Sequence, residues 1–299
     1  MCEIVGILSN RDEYLNEKVL NTLSSKLIHR GPDAKGLWIN ENDGIGLAHR
    51  RLSIIDTTKS GSQPMISSDK RYVIVFNGEI YNFLDLKKEL TTLFNINDWI
   101  GNSDTEVLLK LIQYFGLEET LKKIEGMFAF GLWDSKLRNL TLVRDRMGEK
   151  PLYFGKVGQY FLFSSELKAM TAFPLWEGEI DSDSLTLYLR QDCIPSPRTI
   201  YKGIFKLEPG HLIIISDKNN TINSPKCYWK ISNFSHSSRN IKNNDSFQNI
   251  QNFQNLIRNS IKKRLVTDVP IGAFLSGGYD SSLIVSIMSE ISNTKVKTF

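Results

Sequence analysis

The chain opens with MCEIVGIL, residues Met1–Leu8, and this stretch places a cysteine directly behind the first methionine. Residues Glu3–Leu8 are mostly apolar, which predicts a short buried strand. Because the side chain of Cys2 is small, we expect the methionine to be removed after synthesis. Cys2 would then carry a thiol and a free α-amino group, whose ordinary pKa of about 7.7–8.0 suits a base for that thiol. The alternative is that Cys2 is only a small apolar residue at the start of an edge strand.

The composition is typical of a soluble globular protein with room for two domains. The chain has 299 residues, of which 41% are hydrophobic and 23% charged. Its net charge of +4 is small, and a solvated helix face explains the densest basic run, Lys262–Arg264, so no nucleic-acid partner is predicted. No apolar stretch reaches the roughly 18–20 residues that cross a bilayer, and the first residues do not have the pattern of a secretion signal. We therefore expect a cytoplasmic protein without a membrane partner.

The cysteines and histidines form no pattern for disulfides or for a structural metal. Cys2, Cys193 and Cys227 are an odd number at wide spacing, which argues against a disulfide framework and against a zinc site. The four histidines show no metal-ligand spacing either. Cysteines without a disulfide pattern are typical of a reducing compartment, which agrees with the expectation of a cytoplasmic protein.

Hydrophobic periodicity predicts strands and helices without a strict βαβ alternation over the first two hundred or so residues, which favours a layered α+β domain. The expected helices cover residues 14–31, 84–90 and 104–116. The expected strands cover residues 36–39, 45–55, 72–82, 127–134, 139–145 and 160–166, with the last three as consecutive strands of one antiparallel sheet.

The composition changes near residue 215, and this change predicts the domain organisation. Residues 1–215 form the first domain, residues 216–245 an Asn/Ser-rich linker, and residues 246–299 the N-terminal part of a second domain. In that part a helix, the short buried strand GAFLS (272–276), a helix and a further strand follow one another. A strand, a glycine turn, a helix and a strand are typical of the opening of a parallel nucleotide-binding sheet, of which we expect only this first unit.

Polar residues at the ends of predicted elements have the chemistry that a cysteine nucleophile requires. FNGEIYN places Asn77 and Gly78 at a strand-to-turn corner, where a side-chain amide and a backbone N–H could form an oxyanion hole, although a plain turn also explains them. Arg51 follows a strand and could bind a carboxylate. Asp104 lies just before a helix, where a capping role is the alternative to substrate binding.

Nine motifs follow one another in an order that resembles a known family. They are MCEIVGI, HRGPD, AHRRLSIID, QPM, FNGEIYN, SDTEVLL, GMFAFGLWD, RDRMGEKPLYF and FSSELKAM. Together they resemble the glutaminase half of glutamine-hydrolysing asparagine synthetases, which are class II, N-terminal nucleophile amidotransferases. The resemblance runs from the first residue to about His211. It implies an α+β fold, an αββα sandwich.

The resemblance also assigns roles in the hydrolysis of L-glutamine, with no cofactor in this half. Cys2 would attack the side-chain amide carbon of glutamine, and Asn77 and Gly78 would hold the oxyanion. Arg51 would bind the α-carboxylate of the substrate. The other residues that the resemblance places around glutamine are Leu52, Ser53, Ile54, Ile55, Glu79 and Asp104, of which the two acidic side chains would receive the α-ammonium.

Two charged motifs stay outside this predicted site. Arg30 of HRGPD lies in a segment that is near the active site in the family, but it could equally be a structural ion-pair partner. RDRMGEKPLYF, residues 144–154, is interpreted as a segment that packs the domain.

The segment FLSGGYDSS, residues 274–282, contains the second constellation. Its two glycines precede a helix, a combination that allows close approach of an anion, but the Gly-Lys-Ser/Thr of a Walker A loop is missing. It resembles the pyrophosphate loop of α/β ATP pyrophosphatases, the adenine nucleotide α-hydrolase-like enzymes, with Tyr279 where that family has leucine. The resemblance implies ATP binding by Leu275, Ser276, Gly277, Gly278, Asp280, Ser281 and Ser282, with Mg²⁺ held at Asp280.

The resemblance as a whole implies a glutamine-dependent ligase that uses ATP, Mg²⁺ and L-aspartate to form asparagine, as a cytoplasmic homodimer. Because later segments of the family complete the second site, we expect this chain to retain only the glutaminase half. Two alternatives stay open. The same layout could act on another carboxylate, such as a sugar acid in surface polysaccharide synthesis, or the chain could be a non-catalytic partner of a full-length enzyme.

Overall fold

The computed structural model describes residues 2–9, 13–216, 221–235, 246–292 and 294–299. In chain order the strands of these residues are β1 Glu3–Leu8, β2 Ala34–Asn40, β3 Ile45–Arg51, β4 Met65–Ile66, β5 Tyr72–Ile80, β6 Gly126–Asp134, β7 Asn139–Arg144, β8 Tyr153–Val157, β9 Tyr160–Ser164, β10 Ile204–Lys206, β11 His211–Ser216, β12 Thr221–Ile222, β13 Lys226–Cys227, β14 Gly272–Ala273 and β15 Lys297–Thr298. The helices are α1 Glu17–Ser25, α2 Phe83–Phe94, α3 Asp104–Phe115, α4 Leu117–Lys123, α5 Leu167–Met170, α6 Ser182–Gln191, α7 Ser232–Ser235, α8 Ser246–Arg264 and α9 Tyr279–Ile291.

The described residues form two compact units. The first comprises the chain up to Ser53 together with Thr58–Lys230, and the second comprises Ile54–Thr57 and Ile231–Phe299. The predicted boundaries at residues 215 and 245 stay a prediction, and the predicted linker falls partly outside the described residues.

The first unit contains two antiparallel sheets. One has the strand order β10-β8-β9-β1-β3-β2, and the other has the order β12-β11-β7-β6-β5-β4 with β13 also paired to β11. Strand β1, which follows Cys2, lies in the interior of the first sheet between β9 and β3. All six residues of β1 are buried, as their apolar run predicted.

A continuous apolar layer lies between the two sheets. Ile4 of β1, Val75 of β5 and Trp133 of β6 belong to this layer, and each is nearly or completely inaccessible to solvent. Since side chains alternate along a strand, the opposite face of β1 contributes Val5 and Ile7 to a second apolar cluster with α1 and α5.

Helices cover the outer face of each sheet. Helix α1 begins at the cap Asn16, whose side chain accepts a hydrogen bond from the Val19 N–H, and packs against β1 and β3. Helix α3 lies against β5, and α2 and α4 lie against α3. Helix, sheet, sheet and helix therefore form four layers, and the predicted α+β sandwich is confirmed.

Two of the predicted elements differ from the structure in this unit. Residues 160–166 were expected beside residues 139–145, but β9 pairs with β8 and β1 in the other sheet. The intervening strand β8 was not predicted, although its hairpin with β9 turns at Gly158, where φ is +59°. Helix α1 ends at Ser25 rather than near residue 31, and turns with hydrogen bonds three residues apart follow it.

The second unit contains the two longer helices α8 and α9 and one pair of strands. Strands β14 and β15 are parallel, which agrees with the predicted opening of a parallel sheet. Ile261 of α8 packs with Ile287 and Met288 of α9 in a small apolar core. The loop Ile54–Thr57 belongs to this unit through the Asp268 N–H, which donates to the Ile54 carbonyl at 3.1 Å.

The buried strand predicted over residues 272–276 is wrong in extent and in burial. Only Gly272–Ala273 pair as a strand, and the side chain of Phe274 is 87% exposed. An apolar run of this kind predicts burial only where another layer covers it. Within the described residues of this unit, the pair β14–β15 has no further strand beside it.

Candidate active site

Cys2 lies immediately before β1, beside the end of β3. The antiparallel register pairs Glu3 with Arg50, which brings Cys2 to the level of Arg51 and Leu52. The Cys2 Sγ lies 3.4 Å from both the backbone nitrogen and the backbone oxygen of Leu52. Burial raises the pKa of the Cys2 thiol, while the hydrogen bond with Leu52 and the charge of Arg51 act in the opposite direction. The thiol therefore needs a base to become a nucleophile.

The side chains of Asn77 and Glu79 face the layer that also receives the side chain of Cys2. Val75 belongs to the core between the sheets, and the alternation of β5 turns Asn77 and Glu79 to the same side. The same rule on β1 turns Cys2 to the side of Ile4, which belongs to that core as well. The fold thus places a thiol and a side-chain amide in one layer, from two different sheets.

Asn77 and Gly78 lie inside β5 and not at the strand-to-turn corner that the sequence suggested, because β5 continues to Ile80. Gly78 lies opposite Phe128, and a Cβ on Gly78 would lie 2.2 Å from the Met127 carbonyl oxygen. A glycine is required here by the close approach of β6, not by a turn.

The backbone of β5 presents the Gly78 N–H at the edge that faces away from β6. The Phe128 N–H donates to Asp145 Oδ2 at 3.2 Å, and the Phe128 carbonyl accepts from the Asp145 N–H at 2.8 Å, so the pair that Phe128 forms with Gly78 has no ladder hydrogen bonds. The N–H groups on either side along this edge have acceptors: Phe76 donates to Gln63 Oε1 at 2.6 Å, and Ile80 to Asp104 Oδ2 at 2.9 Å. The Gly78 N–H between them has no acceptor among the described residues.

Two buried side chains that the sequence did not single out hold the residue before Asn77. Gln63 of the QPM motif accepts from the Phe76 N–H, and its Nε2 donates to Thr105 at 3.3 Å. The His49 Nε2 lies 3.2 Å from the Phe76 carbonyl oxygen. Burial lowers the pKa of His49 to about 3, so the ring is neutral and donates to that oxygen. Both side chains thereby fix the backbone that carries Asn77.

Arg51 and the residues after it are held by local hydrogen bonds. Arg51 is buried at the end of β3, and its Nη1 donates to the Thr58 carbonyl at 2.7 Å. Asp33 of the HRGPD motif accepts from the Ser53 N–H at 2.8 Å and donates its own N–H to the Arg51 carbonyl. Part of this motif therefore shapes the segment that contains Leu52 and Ser53. The conformation of this segment thus depends on Asp33, which was not among the predicted site residues.

The two acidic side chains predicted for the substrate ammonium differ in their surroundings. Asp104 is buried as the first residue of α3, and the capping position belongs instead to Ser103. Burial, with a smaller contribution from the charge of Glu79, raises the pKa of Asp104 to about 6. Burial also raises the pKa of Glu79, which the charge of Lys150 opposes. With a pKa of about 6, Asp104 is mostly ionised at neutral pH, as an ammonium site needs.

Ile54 and Ile55 belong to the second unit by their packing, so their predicted place around glutamine stays a prediction. Arg30 forms the ion pairs that the sequence left open, with its Nε 3.5 Å from Glu3 Oε1 and 3.5 Å from Glu166 Oε1.

The FLSGGYDSS segment of the second unit forms a tight turn followed by α9. Gly277 has φ +81°, which favours glycine, and Gly278 caps the helix. The Ser276 and Ser281 hydroxyl oxygens lie 3.1 Å apart, and Asp280 lies in the first turn of the helix. Tyr279 is 97% exposed, so within the described residues it packs against neither core nor loop. The predicted residue Leu275 precedes this turn, and Ser282 lies in the first turn of α9, where its N–H donates to the Gly278 carbonyl at 3.1 Å.

Among the described residues, no group of three or more His, Cys, Asp and Glu side chains could hold a metal ion. In the same part of the chain, no helix is long and apolar enough to cross a membrane.

Two antiparallel sheets between helices, with a cysteine heading an interior strand and an asparagine facing it from the other sheet, define the class of N-terminal nucleophile glutamine amidotransferases. The chain belongs to the glutamine amidotransferase domain family, whose model matches residues 1–229. Residues 252–299 match a second family model, described as asparagine synthase.

The curated relatives are longer than this chain. A putative glutamine-hydrolysing asparagine synthetase of Methanocaldococcus jannaschii is 37% identical over 318 residues, which cover 100% of this chain and 59% of the relative. Asparagine synthetase 1 of Bacillus subtilis, also glutamine-hydrolysing, is 35% identical over 305 residues, which cover 100% of this chain and 45% of the relative. The chain thus spans about half the length of the curated relatives it matches.

A solved structure shares the fold. The glutamine phosphoribosylpyrophosphate amidotransferase from Bacillus subtilis matches with a TM-score of 0.54 and 16% identity, over 100% of this chain and 65% of that chain. At this identity the match supports the fold alone.

Proposed function

We propose that this chain hydrolyses L-glutamine to glutamate and ammonia through a thioester on Cys2. The observation that carries the proposal is the position of Cys2, with its Sγ on the backbone of Leu52 and an interior strand directly behind it. Asn77 faces the same layer, and Gly78 offers an N–H without an acceptor among the described residues.

The proposed first step transfers the thiol proton and forms a carbon–sulfur bond. With Met1 removed, the α-amino group of Cys2 takes the proton from Sγ, and the sulfur attacks the side-chain amide carbon of glutamine. The Asn77 amide and the Gly78 N–H stabilise the negative oxygen that develops. The proton then passes to the leaving nitrogen, ammonia departs, and water hydrolyses the thioester to glutamate. These steps use only groups of the chain, glutamine and water.

The charges around Cys2 suit the zwitterionic end of glutamine. The Arg51 guanidinium would bind the α-carboxylate, while Asp104 and Glu79 would receive the α-ammonium. The backbone of Leu52 and Ser53 would line the pocket.

Replacing the nucleophile tests this proposal. Cys2→Ala should abolish glutamate production and leave glutamine binding measurable by calorimetry. An uncleavable tag on the amino terminus should also abolish turnover, because an amide nitrogen is not a base. Unchanged turnover in either protein would contradict the mechanism.

Labelling tests the same site independently of turnover. A diazoketone analogue of glutamine should add its mass to the peptide that contains Cys2, and the intact chain should lack Met1 in mass spectrometry. Cys193, which is exposed, is the internal control for non-specific alkylation. Retention of Met1 in active protein, or equal labelling of Cys193, would contradict the proposal.

We further propose that the second unit belongs to a site that activates an acceptor carboxylate with ATP, and that the acceptor is L-aspartate. The relatives named as asparagine synthetases and the match of residues 252–299 support this proposal. The donor set also fits a phosphate chain with Mg²⁺: a helix N-terminus, the hydroxyls of Ser276, Ser281 and Ser282, and the carboxylate of Asp280. When bound, ATP would supply the adenylate that makes the carboxylate reactive. Dimerisation stays a prediction from the resemblance.

A further inference from the structure

One connected set of buried hydrogen bonds holds the free edge of β5 on both sides of the proposed oxyanion N–H. The Phe76 N–H donates to Gln63 Oε1 at 2.6 Å, and Gln63 Nε2 donates to Thr105 Oγ1 at 3.3 Å. The Thr105 hydroxyl donates to Asp104 Oδ1 at 3.4 Å, and Asp104 Oδ2 accepts from the Ile80 N–H at 2.9 Å. The two sides of the oxyanion N–H are therefore connected through Asp104.

The direction of each bond in this set follows from the groups that form it. A backbone N–H can only donate, so Phe76 faces the oxygen of the Gln63 amide, and the amide nitrogen then faces Thr105. The Thr105 oxygen accepts from that nitrogen, which leaves its proton for the carboxylate of Asp104. Because Gln63, Thr105 and Asp104 are all buried, water competes little for these bonds.

Asp104 is the junction of the set. One of its oxygens accepts from Ile80 and the other from Thr105, and in the proposed function the same carboxylate receives the substrate ammonium. A carboxylate has about four lone-pair positions, so it can accept from the ammonium without losing either bond. A movement of the carboxylate on binding would act directly on Ile80. It would act on Phe76 through Thr105 and Gln63.

The other proposed oxyanion donor is held by a separate contact. The Asn77 Nδ2 donates to Ser165 Oγ at 3.3 Å, and the same oxygen accepts from the Ile4 N–H at 3.0 Å. Neither bond involves the set around Asp104. The set therefore acts on the backbone of β5 at Gly78, and loss of one of its bonds should leave the side chain of Asn77 in place.

We propose that Gln63 and Thr105 are positioning residues that link recognition of the substrate ammonium at Asp104 to the position of the Gly78 N–H. The α-amino group of glutamine then raises kcat as well as affinity, because its binding fixes the carboxylate that holds both sides of the oxyanion donor. This link depends on the proposed glutaminase function. Neither positioning residue touches glutamine, and both act through Asp104 and the backbone of β5.

The Thr105 hydroxyl should also affect the charge of Asp104. Burial raises the pKa of Asp104 to about 6, and the hydrogen bonds from Ile80 and Thr105 oppose this shift. The titratable groups that interact electrostatically with Asp104 are Glu79 of β5, which raises its pKa further, and the thiol of Cys2 before β1. Removal of the Thr105 hydroxyl should therefore raise the pKa of Asp104.

Two substrates and one isosteric variant test the link. The monoamide of glutaric acid is glutamine without its α-amino group, so it brings no cation to Asp104. In the unmodified chain its kcat should be about tenfold below that of glutamine, less than the 10²–10³-fold effect of deleting an oxyanion donor. In Thr105→Val the two kcat values should differ by only about threefold, and the rise of KM for glutamine at low pH should begin at a higher pH.

Thr105→Ser and Thr120→Val are the matched controls. Thr105→Ser keeps a hydroxyl and should restore the tenfold difference in kcat. Thr120 is also fully buried, but its hydroxyl donates to the Gly116 carbonyl at 2.7 Å, so Thr120→Val should keep that difference. Equal kcat values for the two substrates in the unmodified chain would overturn the inference. A tenfold difference that persists in Thr105→Val, or that is lost equally in Thr120→Val, would overturn it as well.

The backbone ¹⁵N–¹H signals of Phe76 and Ile80 provide a measurement that does not depend on turnover. Both should titrate near pH 6 in the unmodified chain, with the carboxylate of Asp104. In Thr105→Val the Ile80 signal should still titrate and the Phe76 signal should not. If the signals behave in this way but glutamine is not hydrolysed, the link stands and the proposed function fails. If glutamine is hydrolysed and the Phe76 signal does not titrate near pH 6 in the unmodified chain, the function stands and the link fails.

Discussion

Glu3 shows how a single buried carboxyl group makes the stability of the fold depend on pH. Its side chain is 1% exposed, and one carboxylate oxygen has no partner within the described residues. Its pKa is raised from 4.5 to about 7, so folding favours the protonated form. The stability associated with this group is therefore fully present below pH 4.5 and lost as the pH rises through about 7.

Glu3→Gln should therefore stabilise the protein at pH 8. The neutral amide avoids a buried charge, and at about 1.36 kcal/mol per pKa unit the gain in the free energy of unfolding should be about 1–3 kcal/mol. The gain should fall to near zero at pH 4, where Glu3 is protonated in both the folded and the unfolded state. Urea unfolding at pH 4, 6 and 8 measures it, with exposed Glu177→Gln as the control. A loss of stability at pH 8 would contradict this account.

Asp104 should control the affinity for glutamine in a lower pH range. Its pKa of about 6 means that it loses its charge as the pH falls through 6, and a neutral acid attracts the substrate ammonium only weakly. We expect kcat/KM to decrease below pH 6 through a higher KM. Asp104→Asn should have a high KM at every pH and lack this decrease. A KM that is constant from pH 5 to pH 8 in the unmodified chain would exclude Asp104 from the ammonium site.

The sequence alone can predict those site residues whose own side chain or position suggests a role. A cysteine at position 2 and a buried Asn-Gly pair draw attention by themselves, and the order of the motifs adds their roles. Ser165 could not be found in this way, since its bond to Ile4 joins positions 161 apart in the chain. Gln63 and His49 likewise act through the backbone of Phe76, a contact that exists only after the sheets have packed.

At the level of elements, β5 combines a packing requirement with the proposed chemistry. Its inner side chains belong to the core between the sheets, and its free edge is held at Phe76 and Ile80 by side chains from elsewhere. Gly78 lies between these two fixed points, where β6 leaves no room for a Cβ. The position of the proposed oxyanion N–H therefore depends on the spacing of two strands.

Gly78→Ala should reduce both stability and turnover. The added methyl meets the Met127 carbonyl oxygen at 2.2 Å, which forces β5 and β6 apart and should cost about 1–3 kcal/mol. The displaced N–H should lower kcat by about 10²-fold. Urea unfolding and steady-state kinetics on the folded protein measure the two effects.

Gly131→Ala is the matched control in β6. Its Cβ would lie 2.8 Å from the ring of Phe163, so it also strains the layer between the sheets, but it lies opposite Val75 rather than opposite Asn77 or Gly78. We expect a loss of stability with a nearly unchanged kcat. If the two variants lost kcat in proportion to stability alone, Gly78 would have no part in the reaction.

Local patterns predicted elements better than their partners. The apolar runs of β6 and β7 were placed correctly beside each other because a short connection joins them. Strand β9 could not be assigned to its sheet, since its partner β1 is far away in the sequence and competes with β7 as a neighbour. The run GAFLS was predicted to be buried because its residues are mostly apolar. In the described part of the second unit this prediction fails, since Phe274 is exposed.

At the scale of the whole molecule, the two units differ in how completely they enclose their sites. The first has two sheets, covering helices and a continuous core around the strand that follows Cys2. The second places its glycine turn beside a single pair of strands, with Phe274 and Tyr279 largely exposed. A phosphate chain could contact such a turn, but activation of a carboxylate also requires walls that exclude water.

The 299-residue chain should therefore release ammonia without forming an amide. With glutamine, ATP, Mg²⁺ and L-aspartate, we expect glutamate and ammonia but no asparagine by chromatography, and added ammonium chloride in place of glutamine should give none either. The ammonium experiment does not require Cys2. It therefore distinguishes a second unit without synthetase activity from a defect in the glutaminase reaction of the first unit. Asparagine formed in either mixture, and abolished by Asp280→Asn, would show that the exposed turn of the second unit already supports synthesis. A sugar acid amidated in place of aspartate would contradict the proposed acceptor and leave the glutaminase assignment intact.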